Sequence, residues 1–186
     1  VRCVKAMVGV TLNEMLTRKF NLSFYCLGVI ASLLIFSNAM AGVIQVEQNE
    51  TVKDIGLLSR VLKDSSSNLT IDDILKPAQF AEFQPSQEET LNFGLGLDES
   101  YWLTFSVQNT SANAFRKLLQ MSYPLLDDLQ VHVYRRSNAG NAWEAPEPIN
   151  DWQLGDQKPF RERAVQHRSF VIPIDVPAES TVDIYI

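Results

Sequence analysis

The sequence predicts an all-β domain, a jelly roll or β-sandwich with a short N-terminal helical segment, placed behind an export signal. Three observations predict it. From Thr90 onward, apolar and polar residues alternate with a period of two in several short runs separated by Pro, Gly and Asn. Ten Phe and three Trp in 186 residues, with 46% hydrophobic residues overall, supply a core and exclude a disordered chain. Ahead of both lies an apolar run with the layout of a signal peptide.

The N-terminal segment reads as an address. Residues 1–14 precede Met15 and are expected to be an upstream extension of the true start. From Met15, the positive residues Arg18 and Lys19 lead into the almost unbroken apolar run Leu22–Phe36, and Ala39-Met40-Ala41 is a signal-peptidase pattern. The alternative is a membrane anchor, but fifteen residues fall short of the ~20 that span a bilayer. Residues 15–41 are therefore expected to be cleaved, leaving 42–186 as the domain. Both cysteines, Cys3 and Cys26, lie before the cleavage point, so the domain must be stable without disulfides. At this size a chain buries about 68–70% of its unfolded surface, enough for a core of its own. The bacterial periplasm is the compartment that fits.

Charge narrows the partners. Beyond residue 41 there are 12 Lys and Arg against 21 Asp and Glu, a net of −9. Such a domain has no electrostatic means of holding nucleic acid or an anionic membrane surface.

Along the domain, Val43–Val46 reads as a short strand. Asn49–Leu62 is ambiguous: Val52, Ile55, Leu58 and Leu62 have helical spacing, yet Arg60–Leu62 also fits extended chain. Ser65–Asn68 breaks the pattern. Thr70-Ile71-Asp72-Asp73 has the form of a capping box, and its aspartates favour a first helical turn over a metal or acid–base pair. Pro77 is expected to end that turn, and Phe80, Phe83 and Pro85 to form an extended apolar stretch. Tyr101–Asn109 is the clearest strand, with Tyr101, Leu103, Phe105 and Val107 on one face and Trp102, Thr104, Ser106 and Gln108 on the other. Lys117–Tyr123 and Leu129–Arg135 follow; in the latter Leu129, Val131 and Val133 point inward and Gln130, His132 and Tyr134 outward. Ser137–Asn141 has hairpin-turn chemistry. Arg168–Val176 is a further strand, with Phe170, Ile172, Ile174 and Val176 on one face. Val182, Ile184 and Ile186 open a last strand that the chain end is expected to cut short, leaving an open edge.

No catalytic grouping emerges. The domain has no Cys, and His132 and His167 lack a nucleophile motif. Two separated His do not specify zinc, Asp127-Asp128 reads as a turn after Pro124, and the acids near Asp151 and Asp156 lack EF-hand spacing. A binding domain with no metal and no cofactor is expected. Trp102, among polar residues on one strand face, is a candidate stacking platform for a saccharide. Alternatively, that face is covered and Trp102 packs beneath Phe80 or Phe83. In the Asp151–Arg163 loop, Trp152, Asp156 and Arg163, with Arg168 nearby, are candidates for holding a carboxylate ligand by guanidinium forks. The other reading is an internal network in which Asp156 pairs with Arg163 or Arg168.

Taken in order, Leu62-Lys63-Asp64, Leu69–Asp73, Phe83-Gln84-Pro85, Tyr101-Trp102-Leu103, Asn109, Gly155-Asp156, Pro159-Phe160 and Arg163 resemble one family. It is the extracellular domain type 2 of seven-transmembrane receptors with diverse intracellular signalling modules, and the likeness runs from about Val43 to the end. The resemblance implies a periplasmic jelly roll similar to carbohydrate-binding modules, acting as a ligand sensor ahead of seven membrane helices. The implied output is a cytoplasmic module such as a diguanylate cyclase or histidine kinase. By it, Tyr101-Trp102 and the Gly155–Arg163 loop match the family's most recognisable positions, which makes Tyr101 a ligand-binding candidate beside Trp102, Trp152, Asp156, Arg163 and Arg168. The chain is thus expected to be a receptor fragment, membrane-tethered only through C-terminal helices that it lacks. The alternative is a freestanding periplasmic protein-interaction module.

Overall fold

A computed structural model describes residues 43–51, 54–93, 99–136 and 146–186, all within the compact unit Met40–Ile186. The expected signal peptide, the start at Met15, Val52 and the Ser137–Asn141 turn lie outside the described residues.

The strands are β1 (Val43–Gln45), β2 (Arg60–Asp64), β3 (Gln84–Pro85), β4 (Ser100–Asn109), β5 (Phe115–Met121), β6 (Leu129–Arg135), β7 (Glu147–Leu154), β8 (Phe170–Val176) and β9 (Ser180–Tyr185). Two single-turn helices, α1 (Ile71–Ile74) and α2 (Pro77–Phe80), lie between β2 and β3. Among the described residues the larger sheet has the order β3-β2-β4-β9-β6-β7, and β1 pairs in parallel with the end of β4 that β2 leaves free. The smaller sheet is the antiparallel pair β5-β8. Two sheets, almost wholly antiparallel, with a short helical region near the start, agree with a β-sandwich.

Alternation explains the layering. Phe105 and Val107 of β4, Val131 and Val133 of β6, and Val182 and Ile184 of β9 project from one face of the larger sheet. They meet Phe115 of β5 and Phe170, Ile172, Ile174 and Val176 of β8 in the main core. Lys117 lies in β5 beside this core, and its ammonium donates to the carbonyls of Glu47, Gln48 and Glu50 at 2.5, 3.0 and 2.7 Å. The chain after β1 is thereby tied to the second sheet.

Four expectations are corrected. β9 is no open edge: it lies between β4 and β6 and pairs with both. Pro77 begins a helical turn instead of ending one, because proline at N1 has no N–H to waste and a preset φ. Phe80 consequently closes α2 and is not in extended chain. Asp151–Leu154 belongs to a strand, not a loop, since β7 pairs with β6 over its length with one register shift between Val133 and Tyr134.

Candidate functional site

The other face of the larger sheet carries Trp102 of β4, Tyr185 of β9, and His132 and Tyr134 of β6, and a helical cap covers part of it. The cap folds for local reasons. Thr70 and Asp73 form a capping box at α1, with the Asp73 carboxylate accepting the Thr70 N–H at 3.1 Å and its hydroxyl at 2.7 Å. Lys76 adds an ion pair to Asp73 at 2.7 Å. The bonds from Lys76 and Thr70 hold the Asp73 carboxyl well below the usual carboxylate range. Ile74 and Phe83 are then fully buried against Trp102 and Tyr185 as a second, smaller core. Arg60 fixes the far end, donating from Nη2 to the Phe83 carbonyl at 2.5 Å with its guanidinium over the Phe80 ring.

Where the cap meets the β6–β7 end of the sheet, it leaves a groove of about 440 Å³, within the ~300–1,000 Å³ of small-molecule sites. Leu75 and Pro77 of the cap form one wall and Pro146 and Pro148 another. Tyr134 lines the groove and packs edge-on against Tyr185 at 6.1 Å between centroids. Asp72 and Lys76 supply charge. Burial, and then the nearby carboxylates of Asp72 and Asp151, push the Tyr134 phenol above its usual value. Tyr134 therefore stays protonated as a donor, close to two carboxylates that accept. An apolar cleft with a few convergent polar groups has the make-up of a small-molecule site.

None of the six residues singled out in the sequence lines this groove. Trp102 is 8% exposed, under the cap, with its ring near-parallel to His132; no open platform exists there. Tyr101, on the opposite face of β4, stacks on Phe93 at 4.4 Å and keeps some exposure. Trp152 packs against the main core with its indole N–H buried and without a hydrogen-bond partner. Arg163 is committed internally: Nη1 donates to the carbonyls of His167 and Arg168 at 2.8 and 3.0 Å, and the guanidinium sits over Phe160 and Phe170. Among the described residues no ion pair joins Asp156 to Arg163 or Arg168, and both Asp156 and Arg168 are exposed. Gly155 is architectural, because a Cβ there would lie 2.1 Å from the Asp127 carbonyl oxygen. Asp156 follows it into place by donating its N–H to Leu126 at 2.8 Å.

The groove residues went unmarked in the sequence, although one signal was present. Trp102, His132 and Tyr134 all fall on strand faces that alternation designates outward, and three rings on outward faces imply a second covered surface. Among the described residues no group of three or more His, Cys, Asp and Glu is placed to hold a metal. None of the described helices is long and apolar enough to cross a membrane.

In comparison with known families, residues 59–186 match the model for the 7TMR-DISM extracellular 2 domain. No curated protein and no solved structure matched the chain.

Proposed function

The chain belongs to the 7TMR-DISM extracellular 2 family of sensor domains, and from that membership we propose that it senses a saccharide or similar neutral polyol in the groove at Tyr134. It does so as the exported, periplasmic part of a bacterial signal-transduction receptor, and its two sheets are read as the jelly roll of carbohydrate-binding-like modules. The observation that carries the ligand class is the Tyr134 phenol with the Asp72 carboxylate in a cleft walled by Leu75 and three prolines. Ring and proline surfaces suit the C–H face of a sugar, and the carboxylate suits its hydroxyls. A carboxylate ligand would face Asp72 in this groove, where Lys76 is already paired with Asp73, and Arg163 is likewise occupied. Its remaining support is the exposed Arg168. A freestanding interaction module draws support from exposed Leu118 on β5 and Leu125 beyond it.

Thermal unfolding of the purified chain against a panel of neutral saccharides and small carboxylates tests this. At a hundredfold excess over Kd a ligand adds about 2.7 kcal/mol to stability. The expected result is a saccharide-induced rise that Tyr134→Ala abolishes and Arg168→Ala leaves intact. A rise with carboxylates alone, lost in Arg168→Ala, would overturn the groove reading.

A further inference from the structure

Two positions from Tyr134 on the same face of β6, the His132 side chain is only 6% exposed. Its ring lies on Trp102 at 22°, with centroids 6.2 Å apart. Nδ1 is 3.3 Å from Oδ1 of Asp151, a largely exposed carboxylate on the paired strand. Nε2 is buried with no hydrogen-bond partner. A neutral imidazole tolerates this setting, since a proton on Nδ1 faces Asp151 and Nε2 is merely an unused acceptor. A protonated ring does not, because Nε2 then carries an N–H in an aromatic layer that offers it no acceptor.

The surrounding elements supply little to offset that cost. On β9, Tyr185 is paired with His132 and is held protonated by burial and by Asp183, which Arg136 already neutralises. On β6 itself Tyr134 is a neutral phenol. From α1, Asp72 lies near Tyr134 and contributes no resolved attraction to His132. Trp102 and Thr104 of β4 are uncharged. Asp151 alone attracts a cation on the ring, and water screens it. Burial outweighs it and lowers the affinity of the imidazole for a proton below the ordinary value of 6.5.

We propose that His132 is a proton-sensitive latch beside Trp102, the ring on which the helical cap packs: uptake of one solvent proton at Nε2 loosens the Ile71–Phe83 segment from the sheet and opens the groove that this segment walls. No other bond is made or broken. The inference rests on the packing and holds whatever the groove binds. The sign follows from linkage. Above about pH 6.5 the imidazole is neutral whether the chain is folded or unfolded, and stability is full. As pH falls below that, the unfolded or cap-open forms take up the proton first, and the closed form loses ground.

The test uses the full chain carrying His167→Gln, which leaves His132 as the single imidazole. Imidazole nitrogen NMR across about pH 5 to 8 follows its titration. Amide hydrogen exchange of Ile71–Phe83, scaled for intrinsic rates, is read at about pH 7.5 and about pH 5.5. The expected result is a midpoint below about 6.5, with a several-fold loss of protection in that segment as the ring titrates. A midpoint at or above that value, or protection unchanged through the titration, would overturn the latch. His132→Phe keeps a ring on Trp102 without a proton, and its cap protection should not respond to pH. An undiminished pH response in that variant also refutes the proposal; if it does not fold, the two measurements on the His167→Gln chain decide.

Discussion

Replacing Trp102 with Ala distinguishes a ring that holds the cap to the sheet from a ring on an open surface. At 8% exposure nearly all of the side chain is withdrawn from water. An aromatic buries about 150–250 Å², so at about 25 cal/mol per Å² its transfer contributes about 4–6 kcal/mol. Ile74, on a single-turn helix, and Phe83, in the turn that follows the second one, can settle partly into the space. The loss should therefore sit at about 3–5 kcal/mol, the usual range for truncating a buried Phe or Trp. Against a domain stability of about 5–15 kcal/mol, that is about a fifth of the whole at the least. Urea unfolding followed by far-ultraviolet circular dichroism reads the change without relying on the deleted fluorophore. A lower midpoint at unchanged slope is expected. A surface residue would change stability by about 0.5 kcal/mol or less. A measured loss under about 1 kcal/mol would refute the packing of the cap on β4.

Two further outcomes follow from local geometry. Gly155→Ala places a methyl 2.1 Å from the Asp127 carbonyl oxygen and should cost about 1–3 kcal/mol, read from the urea midpoint; an unchanged midpoint would mean that the 126–128 backbone gives way freely. Asp73 has a carboxyl held below its ordinary 3.8 by Lys76 and Thr70, so its contribution is present above about pH 4 and disappears as pH falls through the folded value. Asp73→Asn should therefore lower the thermal midpoint at neutral pH and flatten its acid limb, and an acid limb identical to that of the parent chain would count against the capping box.

Alternation made β4, β6, β8 and the inward residues of each legible in the sequence, because a strand with one buried face must repeat every two residues. β7 was hidden for a physical reason. Pro148 and Asp151 interrupt the apolar pattern, and the strand is held chiefly by its ladder to β6, a partner that local reading does not supply. The capping box at Thr70–Asp73 was legible since both partners lie within one turn. The covered face with Trp102 beneath Phe80 or Phe83 was one of two readings open in the sequence, and only contacts between Phe83 and strands far along the chain select it over an open platform. The same limit applies to the groove, whose walls come from the cap, β6 and the start of β7. Arg163 has the guanidinium that a carboxylate site needs, and only the positions of Phe160, Phe170 and two carbonyls reveal that it is already taken.

The position of β9 constrains how an event at the groove can reach the rest of the domain. Ile184 lies in the main core and its neighbour Tyr185 in the small one, so consecutive residues of a central strand serve both faces. A slide of β9 by one residue would exchange these faces and expose Ile184, which is fully buried. Asp183, gripped by Arg136 and by Ser106 of β4, opposes even a smaller shift. The sheet therefore behaves as a fixed plate. The cap is the opposite case: two single turns whose attachment rests on Ile74, Phe83 and the Arg60 bond. Short helices have little stability apart from such packing, so they are the part able to change state within a few kcal/mol. Ligand or proton at this face can then act by altering how the cap sits on an unmoved sheet, which puts the responsive element at Ile71–Phe83.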